Sequence, residues 1–234
     1  MRILSIDTSG QQTSLAMTQD YIVIGEIMLN AKTGEKSWTH SEILMPAVDR
    51  LLTLAGMKIQ DIDYIAYGAG PGSFTGLRIG AATALGIAHG LGKIAIPVPT
   101  LDFLAYNMLG AKSDGLVVPM MDARRGQVYT AIYQATPHGK LNRTTDYLAL
   151  SIDAIVPLVA DRPVTLLGDG ACAYQNELAA LLPQAVFAAA NNHRQRGLSL
   201  AIAAMEKINH GYTPETHVDL LYVRAPQAVR DLKK

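Results

Sequence analysis

The sequence predicts an α/β protein of two similar halves, each a mixed sheet with helices on its faces. Three observations predict it. The chain opens on three strand-like runs joined by short turns, strands and helices alternate after that, and the same plan starts again at Val117.

Arg2 to Asp7 reads as a short strand running into the polar turn Asp7-Thr8-Ser9-Gly10. Ser14 to Thr18 and Tyr21 to Leu29 add two strands, and short turns between strands make an antiparallel meander. From His40 to Gly56, residues Ile43, Leu44, Ala47, Val48, Leu51 and Leu54 recur at three-and-four spacing before a glycine, which predicts an amphipathic helix with a glycine stop. Ile62 to Tyr67 reads as a buried strand, Leu77 to His89 as a packed helix, Lys93 to Val98 as a strand and Leu101 to Leu109 as a helix.

The second half repeats this order. Val117 to Met121 is a strand ending at Asp122, as the first strand ends at Asp7, and Ala123-Arg124-Arg125-Gly126 stands where the first polar turn stood. Val128 to Gln134 and Tyr147 to Leu150 supply strands, Ile152 to Ala160 a short helix, and Val164 to Leu167 a strand leading through Gly168-Asp169-Gly170 into a helix from about Ala171 to Leu182. Leu198 to Asn209 is an amphipathic helix, and the tail from His217 ends in basic residues. The predicted division is 1–104 for the first lobe and 105–234 for a shortened second one.

Composition narrows the function classes. In 234 residues, a hydrophobic share of 49% against 17% charged describes a chain with ample core. Twenty basic residues balance twenty acidic ones, which argues against an autonomous nucleic-acid binder and leaves room for a local basic patch. Cys172 is the only cysteine, so no intramolecular disulfide forms, as suits a reducing compartment. The N-terminal apolar run meets Asp7 too early for a secretory signal, and no run is long enough to span a membrane, so a cytoplasmic protein is expected.

The stretch around which the chain is organised is Gly68-Ala69-Gly70-Pro71-Gly72-Ser73-Phe74-Thr75-Gly76-Leu77-Arg78-Ile79-Gly80. It is a strand end, a glycine turn and a helix start capped by Ser73, a place where free amides can hold an anion. The lysine that a P-loop needs is absent, since Leu77-Arg78 follows Gly76, and a structural tight turn is the favoured reading. Gly76, Gly80, Ala84 and Ala88 recur every fourth residue and form a stripe that another element can approach closely.

Asp7 and Asp122 form the best carboxylate pair, able to hold magnesium through water but as often simple turn formers. With Thr8, Gly70, Gly72 and Gly168 they are the candidates for contact with a nucleotide. Arg124 and Arg125 suit an anion clamp, or else fill the space of a degraded nucleotide site. No two of the six histidines lie three or four residues apart, which leaves a metal site on one helix turn unsupported. His40, beside Ser41 at a helix start, reads as a capping or surface residue, and Cys172 reads as a buried thiol.

Two halves, each with an aspartate closing its first strand, follow the plan of the actin-like ATPase superfamily (sugar kinase, Hsp70 and actin, RNase H-like), where ligands sit between the lobes. More specifically, Gly70-Pro71-Gly72-Ser73-Phe74-Thr75-Gly76-Leu77-Arg78-Ile79-Gly80 and Asp122-Ala123-Arg124-Arg125-Gly126-Gln127-Val128-Tyr129 closely resemble the bacterial TsaB (YeaZ) family. Ile6-Asp7-Thr8-Ser9, Gly168-Asp169-Gly170 and Tyr222-Val223-Arg224 support the resemblance, which covers essentially the whole chain.

That resemblance implies a two-lobed actin-like fold and a part in making threonylcarbamoyladenosine at position 37 of tRNAs that read codons starting with A. It implies a non-catalytic paralogue of the transferase TsaD, with no metal and no catalytic residue of its own: Thr100 and Leu104 stand where the metal-binding histidines of TsaD would be. The implied partners are TsaD, in a heterodimer, and the ATPase TsaE, with a homodimer in isolation, tRNA met indirectly and no membrane. No cofactor is required, and ATP or ADP at the cleft or a subunit interface is the candidate ligand. The implied contact surface is the helices of the first lobe, with Ile43, Leu44, Leu51, Leu77, Ile79, Gly80, Ala84 and Leu85 as its candidate residues. The alternative is a nucleotide-hydrolysing enzyme built on Asp7 and Asp122; a metallopeptidase is disfavoured by the absent histidine pair.

Overall fold

The computed structural model describes residues 1–30, 32–33, 36–110, 115–136, 140–159, 162–213 and 220–224. They form two compact units, one of Met1–Phe103 with Gln195–Leu221, the other of Leu104–Arg194 with 222–224.

In the first unit β1 (Arg2–Asp7), β2 (Gln12–Gln19) and β3 (Ile22–Asn30) form the expected meander. A two-stranded ribbon of β4 (Lys32–Thr33) and β5 (Lys36–Ser37) follows. Two parallel strands, β6 (Tyr64–Gly68) and β7 (Ile94–Val98), complete a mixed sheet in the order β3-β2-β1-β6-β7. β6 starts later than Ile62 because residues 59–61 close a 3-10 turn, in which the Lys58 amide donates to Asp61 Oδ2 at 2.8 Å.

Successive residues of a strand face opposite sides, and both sides of β1 are covered. Leu4, Ile6, Leu15 and Met17 share one core with Leu44, Val48 and Leu51 of α1 (His40–Ala55) and Ala81, Ala84 and Ala88 of α2 (Phe74–Leu91). α1 opens on a capping box, the Thr39 amide donating to Glu42 Oε2 at 2.7 Å, and ends on Gly56 at φ 65. Ser73 caps α2 by accepting from the Gly76 amide at 3.2 Å. The expected helix at 101–109 is shorter: α3 (Thr100–Ala105) tightens into a 3-10 turn over residues 106–108.

The opposite side of β1 and β2 carries a second small cluster of anchors. Ser5 donates to the Gly197 carbonyl at 2.7 Å, and Ser14 accepts from the Gly197 amide at 2.8 Å. Glu26 accepts from the Leu198 amide at 3.0 Å and pairs with Arg196 at 2.6 Å. The helix expected from Leu198 therefore packs in the first unit, not in the second half where a boundary at 104/105 had put it. Polar side chains inside apolar strands select it.

The second unit is built on β8 (Leu116–Arg124). The single strand expected over 128–134 is two, β9 (Gln127–Thr130) and β10 (Tyr133–Ala135), both antiparallel to β8. Pro119 lies within β8 between the two pairings and has no amide hydrogen to donate; Ile132 instead takes its bonds from Thr144 and Thr145. β11 (Leu141–Arg143), unforeseen, pairs with β10, and β12 (Leu148–Ser151) pairs with β9. A 3-10 turn at 153–155 leads into α4 (Val156–Val159); Ala160, assigned to this helix, lies outside the described residues, as does the basic tail from 225 onward.

Beside β8 runs β13 (Val164–Leu167), in parallel. The helix expected over 171–182 is two: α5 (Asp169–Ala173) and α6 (Gln175–Leu181), broken at Tyr174 with φ −112 and ψ 25. β14 (Val186–Phe187) edges the sheet, again unforeseen. α7 (Gly197–Asn209) is the helix returned to the first unit.

Gly197 sets how closely α7 approaches. A Cβ there would lie 2.5 Å from the Leu15 carbonyl carbon and 2.6 Å from the Ala16 nitrogen, both backbone atoms of β2. Gly197→Ala is expected to lower stability by about 2–4 kcal/mol in urea titration; an unchanged midpoint would contradict this packing.

Candidate functional site

The glycine turn is locked to the first hairpin turn by two hydrogen bonds. The Thr8 hydroxyl donates to the Gly76 carbonyl at 2.7 Å, and the Ser73 amide donates to the Ser9 carbonyl at 2.7 Å. Backbone approaches backbone here, so that a Cβ at Gly76 would lie 2.0 Å from the Thr8 oxygen and one at Gly72 2.5 Å from the Ser9 oxygen. Glycine is demanded by proximity. Gly70, at φ 107, accepts from the Thr100 amide at 2.7 Å and lies against Leu221. The stretch supplies a clamp within its own unit.

Asp7 is part of the same clamp. It is 1% exposed, and its carboxylate accepts from the Ser9 amide at 3.2 Å and the Ser9 hydroxyl at 3.0 Å. Burial pushes its pKa up to about 6, against the lowering effect of those Ser9 bonds. Thr8, 2% exposed, is spent on Gly76. These two of the six candidates for a nucleotide site thus serve the turn. His40 is half-buried, facing the Thr13 hydroxyl at 2.8 Å through Nδ1 and the Gly10 carbonyl at 3.2 Å through Nε2. It joins the hairpin to α1, and burial lowers its pKa.

In the second unit, Asp122 Oδ1 accepts from the Arg124 amide at 2.8 Å and from the Tyr174 hydroxyl at 3.3 Å. The Asp122 amide in turn faces Asp169 Oδ1 at 3.4 Å. Burial, followed by the Asp122 charge among the raising causes, pushes the Asp169 pKa up. Asp169, read in sequence only as part of the Gly168-Asp169-Gly170 turn, and Tyr174 were not among the candidates, because their link to Asp122 joins residues 47 and 52 positions apart. Gly168, at φ 102, gives its amide to His193 Nδ1 at 3.1 Å, and His193 Nε2 faces the Ala188 carbonyl at 2.8 Å. Cys172 is exposed rather than buried, since α5 turns it outward; its pKa is pushed up, first by partial desolvation.

The candidate contact residues separate by burial. Leu44, Leu51, Leu77 and Ala84 are at most 3% exposed, and Gly80 packs against Thr8, so these five lie in the unit's own core. Ile43, Ile79 and Leu85 are half-buried. The stripe of small residues from Gly76 to Ala88 faces inward, onto Thr8 and the sheet core; a four-residue repeat shows that a face exists but not which way it looks. Pointing outward are Met45 at 47% exposure, Leu54 at 67% and Phe74 at 38%, with Ala82 and Gly86 also exposed. The signal that could have found Met45 and Phe74 is that they are apolar residues off the buried stripe. Thr100 and Leu104 are both fully buried. Among the described residues no helix is long and apolar enough to cross a membrane.

Mixed sheets with this strand order, the first opened by a strand that ends at an aspartate, place the chain in the actin-like ATPase and sugar-kinase fold class. A ROK hexokinase from Thermus thermophilus shares that fold at a TM-score of 0.51 and 11% identity, over 88% of this chain and 99% of that one. A structure from Pseudomonas aeruginosa, described as an uncharacterized protein with similarity to peptidase YeaZ, superposes at a TM-score of 0.78 with 26% identity, over 95% of this chain and 99% of that one. The family model for TsaD, tRNA N6-adenosine threonylcarbamoyltransferase, matches residues 34–204. The tRNA threonylcarbamoyladenosine biosynthesis protein TsaB of Bacillus subtilis is 36% identical over 221 residues, which is 92% of this chain and 93% of that protein. The chain belongs to the TsaB (YeaZ) family of tRNA threonylcarbamoyladenosine biosynthesis proteins.

The buried Asp7 makes stability depend on pH. Its pKa is raised from 3.8 to about 6, so between those values the folded chain holds a proton that the unfolded chain has released. Stability is greatest at the acid end of that window and falls as pH rises through it, by about 3 kcal/mol in all. Asp7→Asn, which keeps the shape without the charge, is expected to match the parent near pH 4 and exceed it at pH 7 and above. Parallel profiles for the two proteins in urea titrations across pH 4–8 would contradict the assignment.

Proposed function

We propose that this chain is a non-catalytic supporting subunit of the bacterial complex that adds the threonylcarbamoyl group to adenosine 37 of tRNAs reading codons that start with A, and that it docks on the transferase TsaD through the outward faces of α1 and α2. Family membership supports the pathway. The observation that carries the docking surface is Gly86. It lies inside the 18-residue helix α2, is exposed, and a Cβ added to it meets nothing within 4 Å. Nothing in the chain's own packing asks for glycine there, yet glycine in a helix interior costs about 1 kcal/mol relative to alanine. A partner helix approaching closely would use the gap, and Ala82 one turn earlier extends it.

Met45 and Leu54 on α1 and Phe74 on α2 are exposed apolar side chains of the two helices, and Ile43, Ile79 and Leu85 are half-buried on them. Both helices cover the same side of the sheet and touch each other, which makes their outer faces neighbours. On this reading the chain needs no cofactor of its own, ATP enters with TsaE, and a homodimer through the same surface competes with TsaD. The nucleotide-hydrolysing alternative would need Asp7 charged and reachable, whereas Asp7 is 1% exposed and holds Ser9.

Substitutions at Gly86 separate folding from docking. Gly86→Ala is expected to stabilise the isolated chain by about 0.5–1 kcal/mol. Gly86→Glu is expected to keep its circular dichroism and lose the heterodimer with TsaD in light scattering coupled to size exclusion, because an unpaired charge in an apolar contact costs several kcal/mol. A well-folded Gly86→Glu chain that still pairs with TsaD would remove this surface from the account.

A further inference from the structure

We propose that the hairpin joining β8 to β9 is a binding site for the phosphodiester backbone of the tRNA substrate, with Arg124, Arg125 and Arg224 as its charged contacts. The choice of nucleic acid rests on the proposed function; the anion site rests on geometry. Three consecutive residues at the tip have left-handed backbone: Arg124 at φ 65, Arg125 at φ 58 and Gly126 at φ 69. Hairpin positions of this kind favour asparagine, aspartate or glycine, and a long side chain there gains nothing locally. Two arginines occupy them nonetheless. Backbone held in a disfavoured region is where a functional demand is sought.

The side chains are available for a ligand. Both residues are exposed, and Arg125 makes no hydrogen bond or ion pair among the described residues. The Arg124 side chain is 74% exposed and, among the described residues, pairs only with Asp122, at 3.5 Å. That carboxylate already accepts from the Arg124 amide and the Tyr174 hydroxyl, so it shapes the hairpin as well as balancing charge. A third guanidinium, half-buried, joins the hairpin from Arg224, whose Nη1 donates to the Ala123 carbonyl at 3.1 Å, its one hydrogen bond among the described residues. Three guanidiniums thus gather at one turn of a chain whose formal net charge is zero. Their planar forks match phosphate oxygens two at a time. An acidic protein segment is the competing occupant, and the family's tRNA pathway favours RNA over it.

The test uses the full chain, alone and mixed with TsaD, and a labelled transcript of a tRNA that reads codons starting with A, titrated by fluorescence anisotropy across a salt series. Arg124→Glu with Arg125→Glu is expected to weaken binding at least about tenfold. Arg125→Ala is expected to reduce the slope of log affinity against log salt by about 1, while Arg125→Lys retains most of the affinity. Arg125→Gly is expected to raise the midpoint of thermal unfolding while weakening tRNA binding, opposite signs that a purely structural arginine cannot give. Equal affinity and slope in the parent and the Arg124→Ala, Arg125→Ala chain would overturn the proposal, as would the absence of tRNA binding from both the chain and the mixture, or displacement of the tRNA by polyglutamate at equal charge. Light scattering on the same samples reads the TsaD pairing separately, so failure of the docking surface and failure of the arginine site are distinct results.

Discussion

The clamp between the first hairpin and the glycine turn is the constraint on which the first unit depends. Thr8 and Ser9 meet the start of α2 at hydrogen-bond distance, and the glycines are there because their neighbours' backbone atoms occupy the place of a Cβ. Fixing that start fixes the rotation of α2 on the sheet. Leu77, Ala81, Ala84 and Ala88 then turn inward, while Ala82 and Gly86 turn outward. A motif that resembles a phosphate cradle in one dimension is, in three, the joint that orients α2 on its sheet.

The two hairpins show how one plan serves different ends. Each carries an aspartate that accepts from a backbone amide two residues on, Asp7 at the end of β1 from Ser9, and Asp122, inside β8 and not at its end as expected, from Arg124. In the first unit the following residues are small and face inward, and the aspartate is buried with its pKa raised by that burial. In the second they are arginines on left-handed backbone facing solvent. Both aspartates are turn formers; the residues after them decide whether the turn packs inward or faces solvent.

Much of the fold was legible in the sequence, because the strands near the termini of each half are short, apolar and bounded by turn residues. The Gly56 stop, the Ser73 cap and the meander came from local chemistry and were found where that chemistry placed them. What local chemistry does not contain was missed. α7 is held in the first unit by Ser5, Ser14 and Glu26, which lie far from it in sequence. Pro119 splits the strand opposite it, an effect visible only once the pairing is known. The four-residue periodicity of α2 revealed its small residues but not that those from Gly76 to Ala88 face inward, and so most of the expected contact residues proved to be core. The family resemblance was legible because its longest motif carries Gly70, Gly72 and Gly76, which backbone contacts leave no room to replace.

The central claim is that this chain supports a reaction carried out by another subunit. The most direct measurement is threonylcarbamoylation of tRNA by TsaD and TsaE with and without this chain, together with this chain alone, at matched concentrations. The account predicts modification only when TsaD and this chain are both present, and none from this chain alone. Full activity of TsaD and TsaE without it, or modification by this chain in the absence of TsaD, would contradict the account.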